Sequence, residues 1–182
     1  MDKVILFIAF SLPVIYLSKR TLFDIKSHGF PRFFGWECII ALFVANYKFW
    51  FVEPLSARQV ISWVLLAISA YMLVAGALLL NRARKPGVVR VDEKLFKFER
   101  TTELVTTGIF KYIRHPLYAS LIFITWGIYF KHPTVIMTLV ALLASVLFWF
   151  TAVGDEKECI AYFGDSYRDY IKGTKRFIPF LI

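Results

Sequence analysis

The chain has 182 residues, of which 58% are hydrophobic, 18% aromatic and only 19% charged, with a mean hydropathy of +0.61. Soluble domains run about 45–50% apolar with about 25% charged residues, so this composition excludes a single water-soluble core and points to a membrane protein. The length also excludes a separate cofactor domain of ordinary size. The net charge of +9 signals nucleic acid only if the basic residues share one soluble face.

Five apolar segments follow one another at 4–18, 34–51, 59–80, 117–130 and 133–153. They predict an all-α, multi-span transmembrane helical bundle of about five spans, built as one integral membrane domain over 1–182. Residues 1–80 supply three spans; residues 81–182 supply a polar loop, a span hairpin and a tail. The first and fourth segments are short and must borrow flanking residues, tilt, or pack against protein. The first reads as a retained anchor: only Asp2 and Lys3 precede it, no Ala-x-Ala site follows, and Lys19-Arg20 come next. Glu37 lies near the start of the second segment and reads as interfacial. Lys131-His132-Pro133 leave the last two segments only a tight hairpin. Cys38 and Cys159 have no CxxC or Cys/His spacing, so no disulfide or metal site is expected and both read as buried small hydrophobes. His28 and His132 read as loop residues without assigned chemistry.

Placing the charges on five alternating spans resolves the net charge. Four basic residues (Lys3, Lys48, Arg58 and Lys131) fall on one side and the other eighteen on the opposite side. That asymmetry predicts an N-terminus outside, with the 81–116 loop and the C-terminal tail cytoplasmic. The membrane would be the inner membrane of a prokaryote or the endoplasmic reticulum of a eukaryote. The positive charge then suits anionic lipid headgroups rather than nucleic acid.

Both long polar stretches, 81–116 and 154–182, therefore share the cytoplasmic side, where a water-facing pocket must be built. The first opens on Asn81 through Gly87, a helix stop, and closes on Arg114-His115-Pro116-Leu117-Tyr118. Pro116 suits a first helical turn, which sets His115 at the helix mouth with Tyr118 on the same edge. Arg114, His115 and the free N–H groups there make an anion-friendly cluster. The second stretch opens on Gly154-Asp155-Glu156-Lys157-Glu158, three carboxylates at the end of a span. Such groups are costly to desolvate and need solvent, a basic partner or a cationic ligand. Tyr162, Phe163, Tyr167 and Tyr170 recur at roughly helical spacing and can lay one face on the bilayer or on the bundle.

These residues carry a resemblance. Leu104, Gly108, Phe110, Tyr112, Arg114-His115-Pro116 and Tyr118 come first, followed by a span hairpin and the Asp155-Glu156 pair. Phe163-Gly164, Tyr167, Tyr170 and Phe177-Ile178-Pro179 complete the series in order. Over about 102–182 the chain is similar to the isoprenylcysteine carboxyl methyltransferase and phospholipid methyltransferase family of integral membrane enzymes. The resemblance implies an S-adenosylmethionine cofactor on the cytoplasmic side, partly enclosed by the tail, with a lipid-like acceptor entering from the bilayer. It carries the cofactor contacts onto Glu103, Leu104, Val105, Gly108, Phe110, Arg114, His115, Pro116, Leu117, Tyr118, Asp155 and Glu156. Three positions depart from the family pattern. Phe110 replaces a frequent tyrosine, and Asp155 replaces a common glutamate. Thr151 stands where the carboxyl methyltransferases carry an arginine.

The chemistry of the residues agrees. Asp155 and Glu156 suit the cofactor's ammonium or ribose diol, and Arg114 or His115 its carboxylate. Methyl transfer is an in-line displacement in which positioning and exclusion of water supply most of the acceleration. An ammonium acceptor must first lose a proton, for which His115, Tyr118 and Glu156 are the candidate catalytic groups. Without a cation at 151, a phospholipid amine is favoured over a prenylcysteine carboxylate. Two other classes stay open: an NADPH-dependent sterol-type reductase, although no Gly-rich dinucleotide fingerprint is present, and a membrane scaffold, which has no need of the polar clusters. The plainest alternatives are a capping role for His115, solvated pairing of Asp155 and Glu156 with tail lysines, and an interfacial belt of tyrosines including Tyr112.

Overall fold

A computed structural model describes residues 3–83 and 101–181. It is all-helical: α1 (Lys3–Ser18), α2 (Gly29–Asn46), α3 (Ala57–Arg82), α4 (Pro116–Tyr129), α5 (Val135–Phe163) and α6 (Asp165–Gly173). Short 3-10 turns at Tyr47–Phe49 and Gly108–Lys111 complete it, with one isolated bridge between Ile113 and Lys175. Each apolar segment forms a helix, with two shifts. α2 starts ahead of its apolar run, with Pro31 tolerated in the first turn, and yields to the 3-10 turn at Tyr47. α5 continues past Val153 to Phe163 because Asp155 through Tyr162 end the apolarity without containing a helix breaker. It stops at Gly164, whose φ of 62° is the left-handed value that glycine adopts without strain. The charges from Arg84 to Arg100 lie outside the described residues.

Among the described residues two helices, α3 and α5, are long and apolar enough to cross a membrane. Only 17% and 28% of their apolar windows are buried, whereas the core helix of a soluble protein would be mostly covered. Tyr71, Val74 and Leu78 on α3 and Leu139, Leu143 and Phe150 on α5 are exposed, as lipid-facing residues should be. α1 and α4 are apolar but shorter, at 16 and 14 residues.

α3 packs chiefly on α4, α2 on α5, and α1 on α2. Between apolar helices in lipid, close approach and polar bonds replace the hydrophobic driving force. A Cβ on Gly127 would lie 2.9 Å from Leu66, and one on Gly35 would lie 2.6 Å from the Phe148 ring, so these glycines set the α3–α4 and α2–α5 spacing. Ser62 and Ser69 of α3 donate to the Gly127 and Ser120 carbonyls of α4 at 2.6 and 2.7 Å. Asn46 reaches the Ile128 carbonyl at 3.0 Å. Glu37 faces α1, where Ser11 donates to it at 2.6 Å.

The antiparallel helices give the bundle two polar ends. One gathers the start of α1, the 47–58 segment and the α4–α5 hairpin. There His132 stacks on Phe49 at 3.9 Å, and the fully buried Lys131 donates to Gln59 at 3.0 Å. The Lys131 ammonium lies 3.2 Å from the Trp63 ring centre and 5.1 Å from that of Trp50. The other end gathers His28, residues 101–118, the last turns of α5, α6 and the tail.

Candidate functional site

A cleft opens at this second end, between the 101–118 segment, the last turns of α5, and α6. Its position follows from three local choices. Pro116 starts α4 and leaves His115 at the mouth. The unbroken α5 carries its carboxylates to the same level. The tail then returns as a strap: Arg114 N–H donates to the Lys175 carbonyl at 2.8 Å, His115 N–H to Arg176 at 3.1 Å, and Lys175 N–H to Tyr112 at 3.0 Å. α6 closes over the cleft with its aromatic side inward. Tyr167 is 3% exposed, and Tyr170 O–H donates to the Phe110 carbonyl at 2.6 Å. Burial pushes both phenols up from their usual range. Tyr167 and Tyr170 thus lie on the bundle, whereas Tyr162 is exposed.

Of the residues carried over from the resemblance, Leu104, Val105, Phe110, Arg114, His115, Pro116, Leu117, Tyr118 and Asp155 line the cleft. Glu103 and Gly108 are exposed beside it. Glu156 lies behind His115, outside the lining. His115 is 4% exposed, with Nδ1 3.3 Å from Asp155 Oδ2 and Nε2 3.3 Å from Glu156 Oε1. Burial alone would lower its pKa; hydrogen bonds and charge from the two carboxylates outweigh burial and raise it above 6.5. Tyr118 stacks on the imidazole, ring centres 5.4 Å apart.

Glu156 is the hub of the ion pairs. Arg114 Nε donates to Oε1 at 2.9 Å, and Arg176 donates through Nε to Oε1 at 3.0 Å and through Nη2 to Oε2 at 2.7 Å. Arg114 also reaches the Thr174 carbonyl. The Arg176 guanidinium lies 4.4 Å from the Trp149 ring centre. Thr151 is fully buried, its hydroxyl bonded back to the Leu147 carbonyl at 2.8 Å.

Arg176, Glu158, Cys159 and His28 stand at the site without a role that the sequence alone assigns to them. In the sequence Arg176 is one more tail charge. Glu158 is three residues after Asp155, a signal that becomes legible once α5 is extended past Val153. Cys159 and Cys38 are free thiols, half-buried rather than in the core; Cys159 lines the cleft, its thiol 3.7 Å from Asp155 Oδ1. His28 pairs with Glu158 at 2.8 Å, and no spacing in the chain announces that contact.

An apolar groove runs along the other side of α4, past Ala119, Ile122, Phe123 and Trp126, with Trp149 and Phe177 at its cleft end. Phe177 lies between the two cavities, its ring centre 6.3 Å from that of His115. Among the described residues no group of three His, Cys, Asp or Glu side chains is arranged to hold a metal ion.

The family model described as phospholipid methyltransferase matches residues 65–166. No curated protein and no solved structure matches the chain.

Proposed function

The chain belongs to the phospholipid methyltransferase family, membrane enzymes that methylate lipid, and from that premise we propose that it uses S-adenosylmethionine to methylate the amine headgroup of a phospholipid. The observation that carries this reading is the pairing of two unlike cavities across one wall. A cleft bearing the Asp155–His115 pair and aromatic rings lies beside an apolar groove, with His115 and Phe177 between them.

The cleft fits the cofactor chemically. Asp155 offers its carboxylate to the ammonium or the ribose diol, and Phe110, Phe163, Tyr167 and Tyr170 offer ring faces. Arg114 at the lining offers guanidinium N–H groups to the cofactor's carboxylate. When bound, S-adenosylmethionine supplies an electrophilic methyl group. The aromatic side of α6 keeps water from the cleft, and the groove holds an acyl chain so that the headgroup lies at the wall. His115 is the candidate base for the proton of the acceptor ammonium, which it can take only when neutral and with one ring nitrogen released from its carboxylate. Tyr118 fixes its ring by stacking, and Glu156 anchors Arg114, Arg176 and His115 together. Leu104, Val105, Pro116 and Leu117 shape the cleft, with Glu103 and Gly108 at its rim.

Arg176 is engaged by both oxygens of Glu156, Arg114 is shared between Glu156 and the cofactor's carboxylate, and the Thr151 hydroxyl is bonded within its own helix. An acceptor carboxylate would therefore lack a cation and be repelled by Asp155, whereas an amine is drawn toward that negative charge. The topology that goes with this reading has five spans in a single domain, the N-terminus outside, and the cleft on the cytoplasmic side near anionic lipids. Its support is the segregation of Lys3, Lys48, Arg58 and Lys131 to the end away from the cleft. Detergent-purified enzyme with labelled cofactor should methylate phosphatidylethanolamine in mixed micelles and leave a farnesylcysteine analogue nearly unlabelled. The reverse pattern would overturn the acceptor assignment.

A further inference from the structure

Two histidines grip the last turns of α5, and the function proposed above uses only one. His28, at the end of the loop before α2, is 1% exposed. Its backbone N–H donates to Glu158 Oε1 at 3.2 Å, and its ring Nδ1 stands 2.8 Å from Glu158 Oε2. A ring nitrogen that close to a carboxylate carries a proton, so one residue holds both oxygens of the carboxylate. The backbones meet as well. A Cβ on Gly154 would lie 3.0 Å from His28 Cβ and 3.1 Å from its Cα, so the loop sits against α5 one residue before Asp155.

Asp155 and Glu158 are three apart on one helix and share a face. Holding α5 at 154 and 158 fixes the rotation of the turn between them, and with it the direction of the Asp155 carboxylate. His115 takes the other side of that carboxylate at 3.3 Å, while the charges of His28 and Arg32 act on it from the α2 side. The α3–α4 and α2–α4 contacts, by comparison, are fastened by neutral bonds from Ser62, Ser69 and Asn46 to backbone carbonyls.

We propose that His28 is a positioning residue: paired with Glu158, it orients Asp155 toward the cleft for the ammonium or ribose diol of the cofactor. The inference rests on reading the cleft as an S-adenosylmethionine site, and it extends the working site to a loop outside the matched segment 65–166.

The test compares the full-length wild-type chain with His28→Ala, His28→Asn, Glu158→Ala and the double alanine variant, by calorimetric cofactor titration, steady-state kinetics and melting temperature. Asparagine carries an amide N–H close to the position of Nδ1, so it keeps the bond and loses the ring. Each alanine variant should raise the Kd and KM for S-adenosylmethionine about tenfold, the loss of one charge-assisted bond, with kcat within about twofold. His28→Asn should recover most of that loss. The double variant should be no worse than either single one, since all remove the same clamp. If the alanine variants fail to fold, Glu158→Gln and His28→Asn carry the test, with a severalfold weaker Kd expected in the former. Wild-type cofactor affinity in a variant that merely melts lower, or a fall in kcat alone, would overturn the proposal. A wild-type chain that binds no S-adenosylmethionine would overturn the reading of the cleft, and this inference with it.

Discussion

Replacing Glu156 with glutamine leaves its shape nearly intact and removes the one anion that Arg114, Arg176 and His115 share. The carboxylate receives three guanidinium N–H bonds of 2.7–3.0 Å and faces His115 Nε2 at 3.3 Å. The side chains of Glu156, Arg114 and Arg176 are 10%, 8% and 18% exposed, so solvent screens the loss little. A charge-assisted bond contributes about 1.5–3 kcal/mol, and bonds on one acceptor do not add independently. Removing one member of a buried ion pair costs about 3–5 kcal/mol, because the partner charges stay behind. Arg114 keeps the Thr174 carbonyl and Arg176 keeps Trp149, which favours the lower half of that range. For a chain of this size each kcal/mol shifts the melting temperature by roughly 2–4 °C, so Glu156→Gln should melt roughly 6–15 °C below the wild type. Thermal unfolding in detergent, followed by circular dichroism, measures the shift. A double-mutant cycle with Arg176→Ala should return a coupling of about 1–3 kcal/mol. A Glu156→Gln protein that melts within about 2 °C of the wild type would refute the idea that this carboxylate holds the strap to α5.

Three further outcomes are expected. The raised pKa of His115 means that its imidazolium bonds contribute stability in full below about 6.5, and that this contribution is lost as pH rises through the higher folded value; a melting-temperature profile from pH 6 to 9 should fall in the wild type and flatten in His115→Gln. If neutral His115 is the base, initial rates of phosphatidylethanolamine methylation should climb over the same pH range, and a rate independent of pH would remove it from that role. Phe123→Trp should crowd the apolar groove and raise KM for long-chain phospholipid severalfold, while the Kd for the cofactor measured by calorimetry stays unchanged. Reporter fusions after Lys85 and after Ile182 should both report cytoplasm, and an outside signal from either would sink the five-span topology.

The helices were legible because each apolar segment runs for several turns and is bounded by charge or proline, and 117–130 needed only Pro116 to fix its start. The apolar run ends at Val153 while α5 continues to Phe163 for a physical reason: hydropathy marks where lipid contact stops, whereas a helix stops only at a breaker such as Gly164. The cleft lining from Leu104 to Tyr118 was legible because those residues are consecutive around a helix start. Contacts that depend on the tail strap were not. Nothing local to Arg176 says that its guanidinium crosses to Glu156 and rests on Trp149. His28 was the least legible, since it meets Glu158 across 130 residues of chain and through a gap that exists only because residue 154 has no side chain.

Lys131 has a consequence for the face of the bundle farthest from the cleft. Its ammonium is enclosed by two indoles and the Gln59 amide, and burial pulls its pKa down to about 8. Arg58 at the same end is paired with Glu53 at 3.2 Å. Of the four basic residues that a topology count assigns to that face, only Lys3 and Lys48 present an amine to solvent. The surface potential there is therefore weaker than the count of four implies. A membrane-impermeant acylating reagent should modify Lys3 and Lys48 and reach Lys131 only when the hairpin comes apart, so the rate of its acylation reports on the opening of the α4–α5 corner.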